Sequence, residues 1–237
     1  MSANKKKSRT SHRELFVVSK DAPFQFVEAY KSLRTNVKFI AATEKAGSFV
    51  ITSALQMESK SNISANLAIT LAEEGKRVAL LDCDFRKPTI HRFAQLHLHG
   101  CGITDVLMGA CELRDALSHI ESWNVDVLPV GTVPPNPAEL LSTTLMGAVL
   151  RALRESYDYV IIDTPPAYLF SDAAILAGYA DCVLYVVRHD MAEIPQIEKG
   201  MESFIQEDKL LGYLINRSQK GFASYGKYGY GKYGYGK

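Results

Sequence analysis

The sequence predicts an α/β fold, a parallel sheet with helices on both faces. Three observations carry that prediction. Short apolar runs alternate with helical patterns along most of the chain. Several runs are apolar almost throughout, as strands buried on both faces must be. The spacing between them suits crossover helices. At 237 residues, 47% hydrophobic and 22% charged, the chain has ordinary globular composition and enough length for one sizeable core.

The elements follow in order. Residues 1–20, opening MSANKKKSRTSHREL, are basic but lead into no apolar core, so they read as a flexible solvated arm and not a secretory signal. FQFVEAYKSLRTNVKFIAA then places Phe26, Tyr30, Leu33, Val37 and Ile40 at helical spacing, which predicts an amphipathic helix. Strands are expected at 48–54, 77–84, 125–131, 159–166, 181–188 and 210–217, with helices near 61–75, 137–156, 171–180 and 193–206. Residues 21–217 thus make one domain. Residues 218–237, SQKGFASYGKYGYGKYGYGK, repeat Gly, Tyr and Lys with no apolar period; they cannot build a core and read as a flexible tail exposing Tyr225, Tyr228, Tyr230, Tyr233 and Tyr235.

Composition also excludes. A net charge of +1 gives no basic field for nucleic acid. No run of 18 apolar residues is present to span a membrane. The four cysteines, Cys83, Cys101, Cys111 and Cys182, form no C-x-x-C pair, and two lie in apolar strands, so they read as reduced and intracellular. His97, His99 and Cys101 alternate in HLHGC but lack a fourth ligand, which argues against a metal site.

In a parallel α/β sheet, ligands sit at the carboxyl ends of the strands. Four segments fall there. In SALQMESKSN, Lys60 and Ser61 open a helix whose amino end favours phosphate; Lys60 would meet the β/γ-phosphates and Ser61 would hold Mg²⁺. In LLDCDFRKP, Asp82 and Asp84 alternate on a strand, a pair suited to Mg²⁺ and to a hydroxyl nucleophile. In VIIDTPP, Asp163 ends an apolar strand where a carboxylate supports Mg²⁺. In LINR, Asn216 and Arg217 would edge the base. An Asp at a strand end also serves as a plain cap. The ordered set of Lys-Ser, Asp-x-Asp and Asp-x-x-Pro favours a P-loop NTPase-like site.

These pieces carry a resemblance. EAYKSLRTN (28–36), NLAITLAEEGKRVALLDCDFRKP (66–88), GITDVLMG (102–109), GTVPPNPAELL (131–141), YVIIDTPP (159–166), SDAAILA (171–177) and the tyrosine tail are similar to those of the bacterial tyrosine kinases of capsule and exopolysaccharide systems, the cytoplasmic Gram-positive type. The resemblance implies an ATP- and Mg²⁺-dependent autokinase that phosphorylates its tail tyrosines across subunits of a ring-type homo-oligomer. It also implies a membrane-anchored activator, the polysaccharide co-polymerase, that recruits it to the inner face of the membrane. It places Glu28, Lys31 and Arg34 on the subunit-contact motif, with Lys31 where the family has Arg. Related spatial-regulator ATPases carry a lysine where this chain has Leu55, which favours the kinase.

The loop departs from that family. Where its members read Pro-Gly-Glu-Gly-Lys-Ser-Thr, this chain has Gln56, Met57, Glu58, Ser59, Lys60, Ser61 and Asn62. Residues 58–62 are the nucleotide-binding stretch. Both glycines are gone, and a non-glycine residue in their backbone conformation costs about 1–2 kcal/mol, roughly tenfold in affinity if expressed in binding. Two readings follow: an active kinase, in which Lys60, Asp82, Asp84 and Asp163 do the chemistry, or a non-catalytic assembly module with weakened nucleotide binding.

Overall fold

The computed structural model describes residues 17–96 and 100–216. The basic arm as far as residue 16, His97, His99, Arg217 and the five tail tyrosines lie outside them. In chain order the elements are α1 (Phe24–Glu44), β1 (Ser48–Ser53), α2 (Lys60–Ala72), β2 (Val78–Asp82), α3 (Ile90–Phe93), α4 (Ile103–Leu107), α5 (Leu113–Ala116), β3 (Ser118–Ile120) and β4 (Val125–Leu128). There follow α6 (Pro137–Leu141), α7 (Thr144–Ser156), β5 (Tyr159–Asp163), α8 (Asp172–Ala177), β6 (Cys182–Arg188), α9 (Ile194–Gln206) and β7 (Leu210–Asn216). The sheet runs β3-β4-β2-β5-β1-β6-β7 and is parallel except at β3.

The central strands are buried on both faces, and alternation sorts their side chains. Phe49, Ile51, Val78, Leu80, Tyr159 and Ile161 join the core under α1 and α2. Val50, Ala79, Leu81, Val160 and Ile162 join the core under α7 and α8. α2 is the most enclosed helix, because it lies between the sheet and α1; its buried polar groups find partners, as where Thr70 donates to the Asn66 carbonyl. Residues 17–20, assigned by sequence to the arm, are described, and Val18 is buried with its N–H bonded to Asn66.

Three sequence expectations change. The helix expected over 137–156 is two, because Thr143 is extended (φ −70°, ψ 148°) and starts α7 afresh. The short elements α3, α4, α5 and β3 carry too few residues to show a period. Cysteine usage is the third. Cys83 and Cys182 are free and buried, but Cys101 and Cys111 form a disulfide. The chain turns back after α4 through Gly109 (φ +74°), leaving their Cα atoms 6.2 Å apart.

Candidate active site

The carboxyl ends of β1, β2 and β5 lie side by side, because these three strands are neighbours in the sheet. Asp82 and Asp163 are register partners on β2 and β5. Lys60 is the first residue of α2 and is only 6% exposed. Asp82 and Asp163 are fully buried, and Asp84 nearly so.

Each carboxylate has a distinct setting. Asp82 Oδ2 accepts the backbone N–H groups of Thr89 (3.0 Å) and Ile90 (2.9 Å), and Oδ1 accepts that of Asp84 (3.2 Å). Burial raises its pKa well above the carboxylate range, and the Asp163 charge adds to the rise. Asp163 Oδ1 accepts the Ser64 hydroxyl at 3.0 Å, while Oδ2 is buried with no hydrogen-bond partner. Burial pushes Asp163 up to about 7, with Lys60 and the Ser61 and Ser64 hydroxyls pulling the other way. Burial likewise raises Asp84; the Lys87 N–H and the Lys60 charge oppose it. The charges of Lys60, Asp84 and Asp163 act on neighbouring carboxylates and the Ser61 hydroxyl acts on Asp163, so the five residues share one site.

The orphaned Asp163 Oδ2 fits a divalent cation, since a buried carboxylate oxygen of this kind needs a positive partner. Among the described residues no three His, Cys, Asp or Glu side chains form a closed metal cage. Mg²⁺ is ordinarily held by one or two carboxylates together with water and phosphate.

The loop before α2 holds two left-handed residues, neither of them glycine. Met57 (φ +66°) and Ser59 (φ +74°) both occupy the left-handed region. Glu58, between them, is fully buried; Oε2 accepts the Leu55 N–H at 2.6 Å and Oε1 the Arg188 N–H at 3.1 Å. Asn216, expected at the base, donates to the Glu58 carbonyl at 3.2 Å. Asn62 lies on the first turn of α2, where Tyr30 donates to its Oδ1 at 3.2 Å.

The residues expected from the sequence at a subunit contact lie on α1. Lys31 and Glu28 pair with each other at 2.8 Å and remain more than 40% exposed. Arg34 turns inward: it donates to the Thr70 carbonyl at 2.8 Å and pairs with Glu74 at 2.9 Å, clamping α1 to α2.

Comparison with known proteins decides the family. Residues 58–207 match an AAA domain family. The chain is 37% identical over 227 residues to tyrosine-protein kinase YwqD of Bacillus subtilis, covering 94% of this chain and 95% of that one. The chain belongs to the bacterial tyrosine-protein kinases. Tyrosine-protein kinase CpsD of Streptococcus agalactiae is 34% identical, covering 85% of the kinase and 88% of CpsD. Among solved structures, the kinase domain of Escherichia coli tyrosine kinase ETK superposes with a TM-score of 0.77 at 29% identity, over 85% of this chain and 82% of that one. The septum site-determining protein MinD of Pyrococcus horikoshii, solved with Mg-ADP, shares the fold alone at 23% identity, over 73% of this chain and 71% of that one, with a TM-score of 0.63.

Some of the kinase's site contacts were not read from its sequence. Asp172, fully buried, pairs with Arg86 (Nη2 to Oδ2 3.1 Å, Nε to Oδ2 3.3 Å), and that guanidinium lies 4.2 Å from the centre of the Phe170 ring. This fork fixes the turn that carries Asp84. The signal was present: Asp172 lies in SDAAILA, and Arg86 sits two residues after Asp84. Arg188 was also missed, although it ends a predicted strand on the ligand side of the sheet.

Proposed function

We propose that the kinase is an ATP- and Mg²⁺-dependent autokinase whose substrates include its own C-terminal tyrosines, Tyr225, Tyr228, Tyr230, Tyr233 and Tyr235, phosphorylated in trans between neighbouring copies. The observation that carries this reading is the loop. A chain that had abandoned nucleotide binding would have no reason to hold Met57 and Ser59 in the glycine conformation ahead of a buried Lys60.

Lys60 balances charge on the transferring phosphoryl group. Ser61, Asp84 and Asp163 would hold Mg²⁺, which neutralises the phosphate oxygens when bound. Residues 58–62 cradle the phosphates, with Asn216 and Arg217 at the edge of the nucleotide site. Asp82 orients the tyrosine hydroxyl and takes its proton. Its Oδ1 receives the Asp84 N–H and keeps lone-pair capacity for that hydroxyl. Five phosphotyrosines would add about −7 to −10 of charge to a cationic tail, enough to loosen assembly contacts.

Assembly is part of the reading. Glu28 and Lys31 face a neighbouring copy in a ring-type oligomer, and Arg34 fixes the helix that presents them. A membrane-anchored activator, the polysaccharide co-polymerase partner, recruits the cytoplasmic kinase to the inner face of the membrane. There it regulates capsular or exopolysaccharide synthesis and export. Among the described residues no helix is long and apolar enough to cross a membrane.

The test is phosphotyrosine detection on purified protein with ATP and Mg²⁺, with and without the activator's cytoplasmic segment. Tail signal that disappears in Lys60→Met supports the autokinase. Signal that appears only after Met57→Gly and Ser59→Gly restoration supports the assembly module. No tail signal in any variant rejects autophosphorylation.

A further inference from the structure

Met57 and Ser59 hold a backbone conformation that their side chains disfavour, so groups outside the loop must over-determine it. The hydrogen bonds identify those groups. The Met57 carbonyl accepts Arg188 Nη1 at 2.9 Å, and the next carbonyl, of Glu58, accepts Asn216 Nδ2 at 3.2 Å. The Glu58 carboxylate accepts the Arg188 N–H. Arg188 and Asn216 are register partners at the carboxyl ends of β6 and β7, so they act as one anchor. Together they pin the two peptide planes on either side of Glu58, and those planes are what two left-handed residues flanking one ordinary residue require. The other tether, Lys87 Nζ to Gln56 Oε1 at 2.9 Å, joins exposed side chains and holds no backbone of the loop.

We propose that Arg188 is a positioning residue for phosphoryl transfer: with Asn216 it holds the glycine-less loop in its binding shape, and so sets where Lys60 and Ser61 stand. This rests on the reading of that loop as the seat of the nucleotide phosphates. In a relative with glycine at both places the backbone would reach the same shape unaided. Here, without the clamp, the loop relaxes to ordinary φ values, and nucleotide binding must drive it back.

The experiment is steady-state kinetics of full-length kinase on Mg-ATP with an added tyrosine peptide, in two backgrounds. In the natural sequence Arg188→Met raises KM for ATP about tenfold and changes kcat less than about twofold, the signature of lost ground-state organisation. Arg188→Lys, which still donates to one carbonyl, returns KM to within about threefold of the parent. In the Met57→Gly/Ser59→Gly background, Arg188→Met costs less than about threefold, because glycine needs no clamp. Asn216→Asp, near-isosteric but without the amide donor, follows the same pattern and serves if Arg188→Met fails to fold. Equal losses in both backgrounds, an unchanged KM, or a Lys variant no better than Met would each overturn the proposal. Lys60→Met separates the two levels. If it keeps normal kinetics, the phosphate reading of the loop fails; if it is inactive while Arg188→Met is silent, the clamp alone fails.

Discussion

Restoring both glycines should stabilise the fold more than it tightens nucleotide binding. Met57 and Ser59 adopt φ values of +66° and +74°. Each non-glycine residue there costs about 1–2 kcal/mol, and glycine removes that cost while giving back about 0.5–1 kcal/mol in unfolded-chain freedom. Little else is lost. The Met57 side chain is 58% exposed, and the Ser59 side chain makes no capping hydrogen bond to α2. The net gain is about 0.5–1 kcal/mol per site. In a domain of this size that raises Tm by about 2–8 °C for the pair. Where the free folded state carries that strain, it does not reappear in the binding step. On that reasoning the roughly tenfold penalty per position expected from the sequence shows in stability rather than in Kd. Met57→Gly should leave the Kd for ATP within about twofold, and Ser59→Gly should tighten it only as far as the serine Cβ crowds a phosphate. Thermal melts without nucleotide, paired with calorimetric titration of Mg-ATP, read both quantities. A flat or lowered Tm in the double variant, or a tenfold tighter Kd from Met57→Gly alone, would refute the reasoning.

Other outcomes follow from the same geometry. Arg86→Met strands Asp172 as a buried, unpaired carboxylate; the loss approaches the low end of about 3–5 kcal/mol, since Arg86 is itself 31% exposed, and denaturant unfolding measures it. Cys101 and Cys111 close a short loop with a separation of 10 residues, so a reductant should lower stability by roughly 2–4 kcal/mol in the natural protein and leave Cys101→Ser/Cys111→Ser unaffected. Asp163 is raised by burial to about 7 from 3.8, so its stabilising contribution is complete below about pH 4 and is lost as pH rises to about 7; Asp163→Asn should flatten that fall in a pH series of melts. Mg-ATP binding at pH 6.5 should expel the Asp163 proton, seen as a binding enthalpy that varies with the buffer's ionisation enthalpy in the natural protein and less so in Asp163→Asn.

The parts legible in the sequence were those with a long period or a position fixed by topology. Five buried strands and the partly exposed edge strand β7 announced themselves as apolar runs, and the carboxyl ends of the central ones located Lys60, Asp82, Asp84 and Asp163. The left-handed backbone at residues 57 and 59 was also legible, as two places where glycine was expected. What stayed hidden depends on contacts between distant segments. Nothing local says that Arg188 reaches back 131 positions to the Met57 carbonyl, or that Arg34, on a motif read as outward-facing, spends its guanidinium on α2. β3 is three residues at a sheet edge, too short for alternation to show. The disulfide escaped because spacing alone does not reveal that α4 folds its two cysteines together.

The charge balance of the site explains why such a demanding arrangement folds at all. Lys60, Asp82, Asp84 and Asp163 bring one positive against three negative charges, a net of −2 if all were ionised, into a place where every one of them is at least 90% shielded from water. An uncompensated charge of that size would be very costly to bury. The fold answers in two ways. Backbone N–H groups of Asp84, Thr89 and Ile90 converge on Asp82, and hydroxyls of α2 converge on Asp163, so much of the negative charge meets fixed dipoles. Burial raises the pKa values of Asp82 and Asp163, so each carboxylate holds a proton more readily than an exposed one. A pocket built this way is stable in the protonated form and responsive to a cation. On the proposed function, a magnesium–nucleotide complex would displace the Asp163 proton near neutral pH, and Met57 and Ser59 hold the left-handed backbone its phosphates would meet.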